Sequence, residues 1–390
     1  MTTSSLAAPQ GGDLTSPASR SQDAPLSNPS RSPEPEAAAR VPPDPANAAK
    51  ALDFMAAEDG FQYRGRSSEN ADNAQVIQVR TNDPQRLARL YACIDQTYVQ
   101  LSNGPFRADV EIFQAGCVSI YREQISQSVE VRGRLVHDAY ALFQPTFTGE
   151  HGTFGGHAVE EGHALTVKPG ADLWWVSPRR ADGVGLLCSA DALHEFASRR
   201  GPAARKALAT MTPLLRRRPD VISAIRQFCV QTLAEARENP KLLNSPEALA
   251  AIRDRAMSII LDVAAEGVEP VRRGRPRETY ASLLKRAREI ILAEPDAVLS
   301  VTELCARLGA DRRALHYAFE HALGVNPSTY LRCLRLDGAR RDLLNADPGN
   351  CKIGDIAARW GFWHPSAFSQ HYRSMFGELP SAQLGKGRFG

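Results

Sequence analysis

Val301-Thr302-Glu303-Leu304-Cys305-Ala306-Arg307-Leu308-Gly309 and Ile353-Gly354-Asp355-Ile356-Ala357-Ala358-Arg359-Trp360-Gly361 decide how the C-terminal part of this chain folds. They are one pattern written twice at an offset of 52: Val301 answers Ile353, Leu304 answers Ile356, Arg307 answers Arg359 and Gly309 answers Gly361. After one inserted residue the offset becomes 53, and Leu315 answers Phe368, Phe319 answers Tyr372, Gly324 answers Gly377 and Pro327 answers Pro380. Apolar and glycine positions repeated at one offset, with a single insertion in a turn, mark a duplicated helix-turn-helix unit. Two such units imply two helices offered to two turns of a DNA duplex.

In the first unit (301–324) a short support helix with Val301, Leu304, Cys305 and Leu308 inward is stopped by Gly309. Asp311 then caps the next helix, because its carboxylate can accept backbone N–H groups of the first turn. Leu315, Ala318, Phe319, Ala322 and Leu323 form the buried stripe of that helix. Arg312, Arg313, His316 and Tyr317 are left facing outward near its N-terminal end, where a recognition helix presents side chains to the major groove. An Arg there can pair with guanine O6 and N7, or with phosphate.

The second unit (353–377) puts Ile353, Ile356, Ala357 and Trp360 inward and breaks at a longer turn. Pro365 suits the first turn of the following helix, where its missing N–H has no partner to lose. Phe368, Tyr372 and Phe376 read as core. His364, Ser366, Ser369, Gln370 and Arg373 are the candidates to face DNA, with Gln370 suited to adenine and Arg373 to guanine or phosphate. Trp363 reads as core packing or backbone contact, or as an apolar contact to a thymine methyl. Between the units, residues 328–344 read as one helix with Tyr330, Leu331, Leu334, Ala339 and Leu343 apolar and Arg332, Arg335, Arg340 and Arg341 exposed. Its length of roughly 25 Å suits two reading helices about one DNA turn apart. The two outward faces differ, so one chain should read two unlike elements in a fixed direction.

Working outward, charge is uneven. From Arg272 to Gly390 there are 19 Lys and Arg against 12 Asp and Glu, although the whole chain of 390 residues is only +3. A basic terminal region joined to a mildly acidic remainder fits nucleic acid as the partner of the former. Residues 1–48, rich in Ser, Pro, Ala and Asp, carry too little apolar surface to offset ordering and read as a disordered tail. Residues 49–200 change to short apolar runs between Gly, Pro and Asn, such as 75–79, 108–113, 117–121, 139–143 and 164–167, which predict a β-rich sandwich or barrel. A helical stretch is expected across 83–101. A cavity for a small-molecule effector is the common use of such a fold. Trp174 and Trp175 alternate, so one of them at most points inward.

Residues 201–271 turn helical, with stripes at 221–233 and 246–263, and read as a connector that packs on its own domain or serves a homodimer. Arg272-Arg273-Gly274-Arg275-Pro276-Arg277 (within a basic linker, 272–279) resembles an AT-hook core, in which Arg273, Arg275 and Arg277 lie in the minor groove, or else touch phosphates. Residues 280–385 complete the DNA-binding domain. The fold class is thus multidomain: a β-rich N-terminal domain, a helical connector and an all-α domain with two helix-turn-helix units.

These residues resemble the AraC/XylS family of bacterial transcription regulators. The resemblance covers Tyr280 to Leu384: the Gly324-Val325-Asn326-Pro327 corner, Arg335-Leu336-Asp337-Gly338-Ala339-Arg340, the run Ile356 to Phe362, and Phe376-Gly377-Glu378-Leu379-Pro380. Trp360-Gly361-Phe362-Trp363-His364 is similar to the branch containing the ethanolamine-utilisation operon regulator, as are Gln100-Leu101-Ser102-Asn103-Gly104-Pro105-Phe106 and Ile120-Tyr121-Arg122-Glu123. The resemblance implies a seven-helix DNA-binding domain behind a ligand-sensing or dimerising domain, acting as an activator of RNA polymerase at promoter DNA. Tyr317 stands where that family usually has a basic residue, and Gln370 where it usually has Arg, so the operator sequence does not carry over, and no residue here tests the effector.

Other classes fit less well. His137, His151, His157 and His163 could suggest a cupin-type metal site, but there is no His-x-His pair, and they read as loop histidines. No Gly-x-Ser-x-Gly, phosphate loop or Cys–His pairing supports an enzyme, and no cofactor is expected. A DNA-bending protein has no need of about 150 β-rich residues. Seven dispersed cysteines, no apolar leader and no run of about 20 apolar residues lead to the expectation of a cytoplasmic protein without a membrane partner.

Overall fold

The computed structural model describes residues 61–67, 74–91, 94–135, 139–146, 150, 152–216, 219–265, 275–294 and 297–384, with the backbone alone at 61–67, 214–216 and 275–279. The tail expected at 1–48, together with His137, His151 and Arg273, lies outside these residues.

The N-terminal region is two antiparallel sheets. Its strands are β1 (Phe61–Ser67), β2 (Gln75–Thr81), β3 (Ile94–Gln100), β4 (Ala108–Ala115), β5 (Val118–Ile125), β6 (Val129–Leu135), β7 (Ala139–Thr146), β8 (Gly152–Phe154), β9 (His157–Val159), β10 (His163–Val167), β11 (Asp172–Val176), β12 (Ala181–Ser189) and β13 (Leu214–Arg216). The larger sheet runs β1-β2-β4-β5-β12-β7-β10-β13 and the smaller β3-β6-β11-β8-β9. Alternation along each strand divides its side chains between two layers. Val118, Ile120, Leu142, Val184 and Leu186 of the larger sheet pack outward under helices. Tyr121, Ala141, Phe143 and Leu187 point inward toward Val131, Phe154 and Trp175 of the smaller one.

The covering helices are α2 (Ala190–Arg200), α3 (Pro202–Thr210), α4 (Pro219–Glu238) and α5 (Pro246–Ala265). Their apolar stripes, including Ile225, Cys229, Leu233, Leu249, Ile259 and Ile260, are buried in the same core as the larger sheet. The segment 201–265 is therefore part of the N-terminal domain rather than a connector. It even lends the sheet its edge strand β13, and of the two roles open to its apolar stripes, packing on its own domain is the one observed.

The helix expected across 83–101 is six residues long, α1 (Pro84–Arg89), capped by Asp83 accepting from Gln85 N at 2.8 Å. Beyond it the chain becomes β3, because Ile94, Thr97, Tyr98 and Val99 pair along β6 and the two-residue period prevails. The basic linker also ends early: α6 (Arg275–Ala293) begins at Arg275, with Pro276 in its first turn. His157 and His163 are strand residues rather than loop residues, and buried His163 accepts Glu160 N at Nδ1 (2.9 Å). Among the described residues, no group of three or more His, Cys, Asp or Glu is placed to hold a metal ion, and no helix is long and apolar enough to cross a membrane.

The C-terminal region continues with α7 (Val301–Leu308), α8 (Arg312–Leu323), α9 (Pro327–Asn345), α10 (Ile353–Arg359) and α11 (Pro365–Phe376). Its core takes in Val99 and Val176 from the smaller sheet and Leu101 just beyond β3. The layers thus run from helices through the larger sheet, an inner core with a cavity of about 60 Å³, and the smaller sheet to the C-terminal helices.

Candidate nucleic-acid interface

Each helix-turn-helix is shaped by local signals. Ser300 and Glu303 close a capping box on α7, and Gly309 ends that helix in the left-handed region at φ 61°. Asp311 accepts Ala314 N at 2.8 Å and so starts α8. In the second unit Trp360 and Gly361 (φ 74°) end α10, and His364 stands at the N-cap of α11 without a side-chain bond to it.

The expected stripes are buried: Leu315, Ala318, Phe319, Ala322 and Leu323 on α8, Phe368, Tyr372 and Phe376 on α11. Arg312, Arg313, His316 and Tyr317 are exposed together on α8, and His364, Ser366, Gln370 and Arg373 are exposed on or before α11, with Ser369 half-buried. Arg313 donates to Tyr317 Oη at 3.4 Å and lies 5.5 Å from its ring centroid, so these two side chains hold each other. His316 sits 3.8 Å from Glu320. Trp363 is 74 % exposed, which removes core packing as its role and leaves an indole beside the N-terminus of α11.

The shared helix α9 fixes both units. At 19 residues it is about 28 Å long. A Cβ on Gly338 would stand 2.2 Å from the Trp360 ring, so only glycine lets α10 approach this closely. Asp342 accepts both Trp360 Nε1 and Arg359 Nη1 at 2.9 Å. Arg332 and Arg335 are half-buried and Arg340 is buried over the Phe376 ring (4.7 Å), so of the four arginines expected on the outside of α9 only Arg341 is exposed. Arg335 likewise covers Phe362 at 5.4 Å. These guanidiniums cover the apolar seam between α9 and the second unit.

The N-terminal domain grips the opposite ends of the reading helices. Gly104 N donates to the carbonyls of Ser374 and Met375 at 3.0 and 3.2 Å, and Gln100 Nε2 donates to Met375 O at 2.8 Å. Thr153 Oγ1 donates to Ala322 O. Helix C-termini leave such carbonyls unpaired, and here the 100–106 loop and β8 satisfy them. The N-terminal ends of α8 and α11 stay open.

At the centre of this contact is Glu130, fully buried on β6. Its Oε2 accepts Tyr330 Oη at 2.7 Å and faces Arg132 Nε at 3.3 Å; its Oε1 accepts Trp174 Nε1 at 3.0 Å and faces Arg288 Nε at 3.2 Å. Arg288 also stacks 4.0 Å from the Trp174 ring. Nearby Asp337 on α9 is buried, which pushes its carboxyl up to about 6. Sequence reasoning did not single out Glu130, Arg288 or the hydroxyl of Tyr330; the available signal was one carboxylate between the apolar pair Val129 and Val131.

Two helix-turn-helix units mounted on one helix, with their polar N-terminal ends open, define a DNA-binding domain. Residues 304–384 match the family described as a helix-turn-helix domain. A probable thc operon regulatory protein from Rhodococcus erythropolis is 34 % identical over 149 residues, 36 % of this chain and 45 % of that one. The XylDLEGF operon transcriptional activator 2 from Pseudomonas putida is 35 % identical over 86 residues, 22 % of this chain and 55 % of that one. The chain therefore spans about half the length of these curated relatives. The crystal structure of the AraC-like transcriptional activator CuxR aligns at a TM-score of 0.34 and 15 % identity, over 76 % of this chain and 100 % of that one. Residues 304–384 are thus a helix-turn-helix domain similar to those of named operon regulators and activators.

Proposed function

We propose that the chain is a transcription regulator that binds double-stranded promoter DNA through α8 and α11 and answers to a small-molecule effector in the N-terminal cavity. The observation that carries this reading is the pair of exposed, chemically unlike reading faces on one shared helix. Among the described residues, Arg312, Gln370 and Arg373 have no intramolecular hydrogen bond from their side chains, so their donors are free for bases or phosphates. Arg313, steadied by Tyr317, is the side chain on α8 best prepared to read a base. Trp363 adds an apolar face beside α11 for a thymine methyl or sugar. Arg275 and Arg277 begin a helix, so phosphate contact suits them better than an extended run in the minor groove; Arg273 would join them.

Activation through RNA polymerase is supported by the likeness to relatives named as transcriptional activators and by the unlike chemistry of the two faces. Control by an effector is supported by the Glu130 contact, because the smaller sheet lines the cavity on one face and holds the DNA-binding domain on the other.

The test is a footprinting titration at fixed salt on sites selected from a random-sequence DNA pool. The selected sites should hold two unlike elements in one orientation. Arg313→Ala and Arg373→Ala should each weaken specific binding by about 1–3 kcal/mol and relax preference at one position. A palindromic site, or unchanged affinity of both variants, would contradict the assignment.

A further inference from the structure

The inner cavity carries a chemistry that the reading heads do not use. Tyr91, Tyr98, Tyr121, Phe143 and Trp175 supply aromatic walls, and Glu123 supplies the one ionisable carboxyl among the lining residues. Tyr91 and Tyr98 both donate to the same oxygen of Glu123, Oε2, at 2.7 and 3.3 Å. Oε1 takes no hydrogen bond from a described residue, and it is not sealed off: Glu123 keeps accessible surface, which belongs to the cavity it lines.

Strand β12 keeps this space open. A Cβ on Gly185 would stand 2.2 Å from Cζ of Tyr121, and one on Gly183 would stand 2.2 Å from Cζ of Phe143. Any larger residue at either position would displace a ring of the wall.

The missing complement can be read from the lining. A lone carboxylate with no basic neighbour in the cavity calls for a cation that donates hydrogen bonds, and aromatic rings attract the same charge. Apart from Gln96 the remaining lining is aliphatic or aromatic, so a second polar group on the ligand would lose its hydrogen bonds with water and gain few in return. One water needs about 10–15 Å³ of such space, so the cavity takes a body of roughly four to six non-hydrogen atoms.

We propose that this cavity is a binding site for a small organic ammonium ion with a hydrocarbon body, its N–H donating to Oε1 of Glu123 and its charge lying among the tyrosine rings. The proposal deepens the reading of the N-terminal domain as the control module and rests on it. Tyr91, Tyr98 and Tyr121 are the titratable groups that face Glu123. Burial holds its carboxyl up to about 7 in the empty protein, so ammonium binding near neutrality expels a proton, and affinity rises with pH through that range.

Isothermal titration calorimetry on the full chain tests this with butylammonium chloride, set against 1-butanol, butyrate and 3-amino-1-propanol. Butylammonium should bind about tenfold or more tightly than each of the others, and Glu123→Gln should remove that advantage. Equal binding of butanol and butylammonium, or an unchanged Glu123→Gln variant, overturns the proposal. Should that variant fail to fold, the wild-type chain decides in two buffers of different ionisation enthalpy: proton release at about pH 7 supports the site, and none overturns it. Footprinting on the same samples separates the two readings. Butylammonium binding that leaves DNA affinity unmoved keeps the site and removes its regulatory role, whereas DNA binding with no amine bound overturns the site alone.

Discussion

The two faces of the smaller sheet are built from adjacent residues and do opposite things. Tyr98, Val131, Phe154 and Trp175 face the inner cavity, whereas Val99, Glu130, Thr153 and Trp174, each one position away, face the C-terminal helices. One face is aromatic and surrounds a space; the other is polar, charged and sealed under a second domain. A solvated sheet face would leave Glu130 and Arg132 in water, yet Glu130 has no exposure at all. The difference teaches that a strand can be a mechanical partition. Trp175 at the cavity and Trp174 against Arg288 are consecutive residues of β11, so one short stretch of backbone carries both contacts.

The largest effect should come from breaking the polar face. Glu130→Ala leaves Arg132 and Arg288 buried side by side without their shared carboxylate, and removing one partner from a buried ionic group costs about 3–5 kcal/mol. Scanning calorimetry should show one transition of the wild type becoming two, the domains parting, and small-angle scattering should show a larger radius of gyration. A variant that melts as one unit at the wild-type temperature would mean that Glu130 does not hold the domains together.

The cavity face is probed by pH. Burial raises the carboxyl of Glu123 to about 7, so its protonated form is the one the fold favours. Its favourable contribution is full below about pH 4.5, declines as pH rises through the interval to about 7, and is absent above. Glu123→Gln lacks that decline. The stability of the variant relative to wild type should therefore grow between about pH 5 and pH 8, by up to about 3 kcal/mol. Asp337, raised by burial to about 6, titrates with the same sign but is present in both proteins and cancels in the difference. Urea denaturation at the two pH values measures it, and a constant difference would place Glu123 in an ordinary solvated setting.

What the sequence could reveal follows the same partition. Both helix-turn-helix units were legible because their signals are local: apolar stripes at three and four, Asp311 before Arg312, glycines after each support helix. Five of the strands were equally legible in their alternation. Strand β3 was not, since Pro84 and Leu87 begin a true helix and only the pairing of Ile94–Gln100 with Val129–Leu135 of β6, far along the chain, overrides its continuation. Arg340 looked exposed for a similar reason, because the Phe376 ring that covers it comes from another helix. The alternation of Trp174 and Trp175 was readable, but which indole meets a cavity and which meets Arg288 depends on tertiary partners. Glu130 sits in a strand that reads as half-solvated, and nothing near it in sequence names Tyr330 or Arg288 as its company.

The smallest predicted effect is also the most selective. Tyr330→Phe removes one hydroxyl, the donor to Glu130 Oε2 at 2.7 Å, and leaves the edge-to-face contact of its ring with Phe319 at 5.3 Å in place. Trp174, Arg132 and Arg288 still surround the carboxylate, so the loss should be about 1.5 kcal/mol, the lower end for a hydrogen bond to a charged group. Burial and the neighbouring carboxylate both push the Tyr330 phenol above its usual range, which keeps it a donor throughout the accessible pH range. A double-mutant cycle of Tyr330→Phe with Glu130→Gln isolates the bond. Non-additive losses in unfolding free energy assign it to the interdomain contact. Strict additivity would mean that the hydroxyl of α9 and the carboxylate of β6 act separately, and that the polar face holds the DNA-binding domain through Arg288 and Trp174 alone.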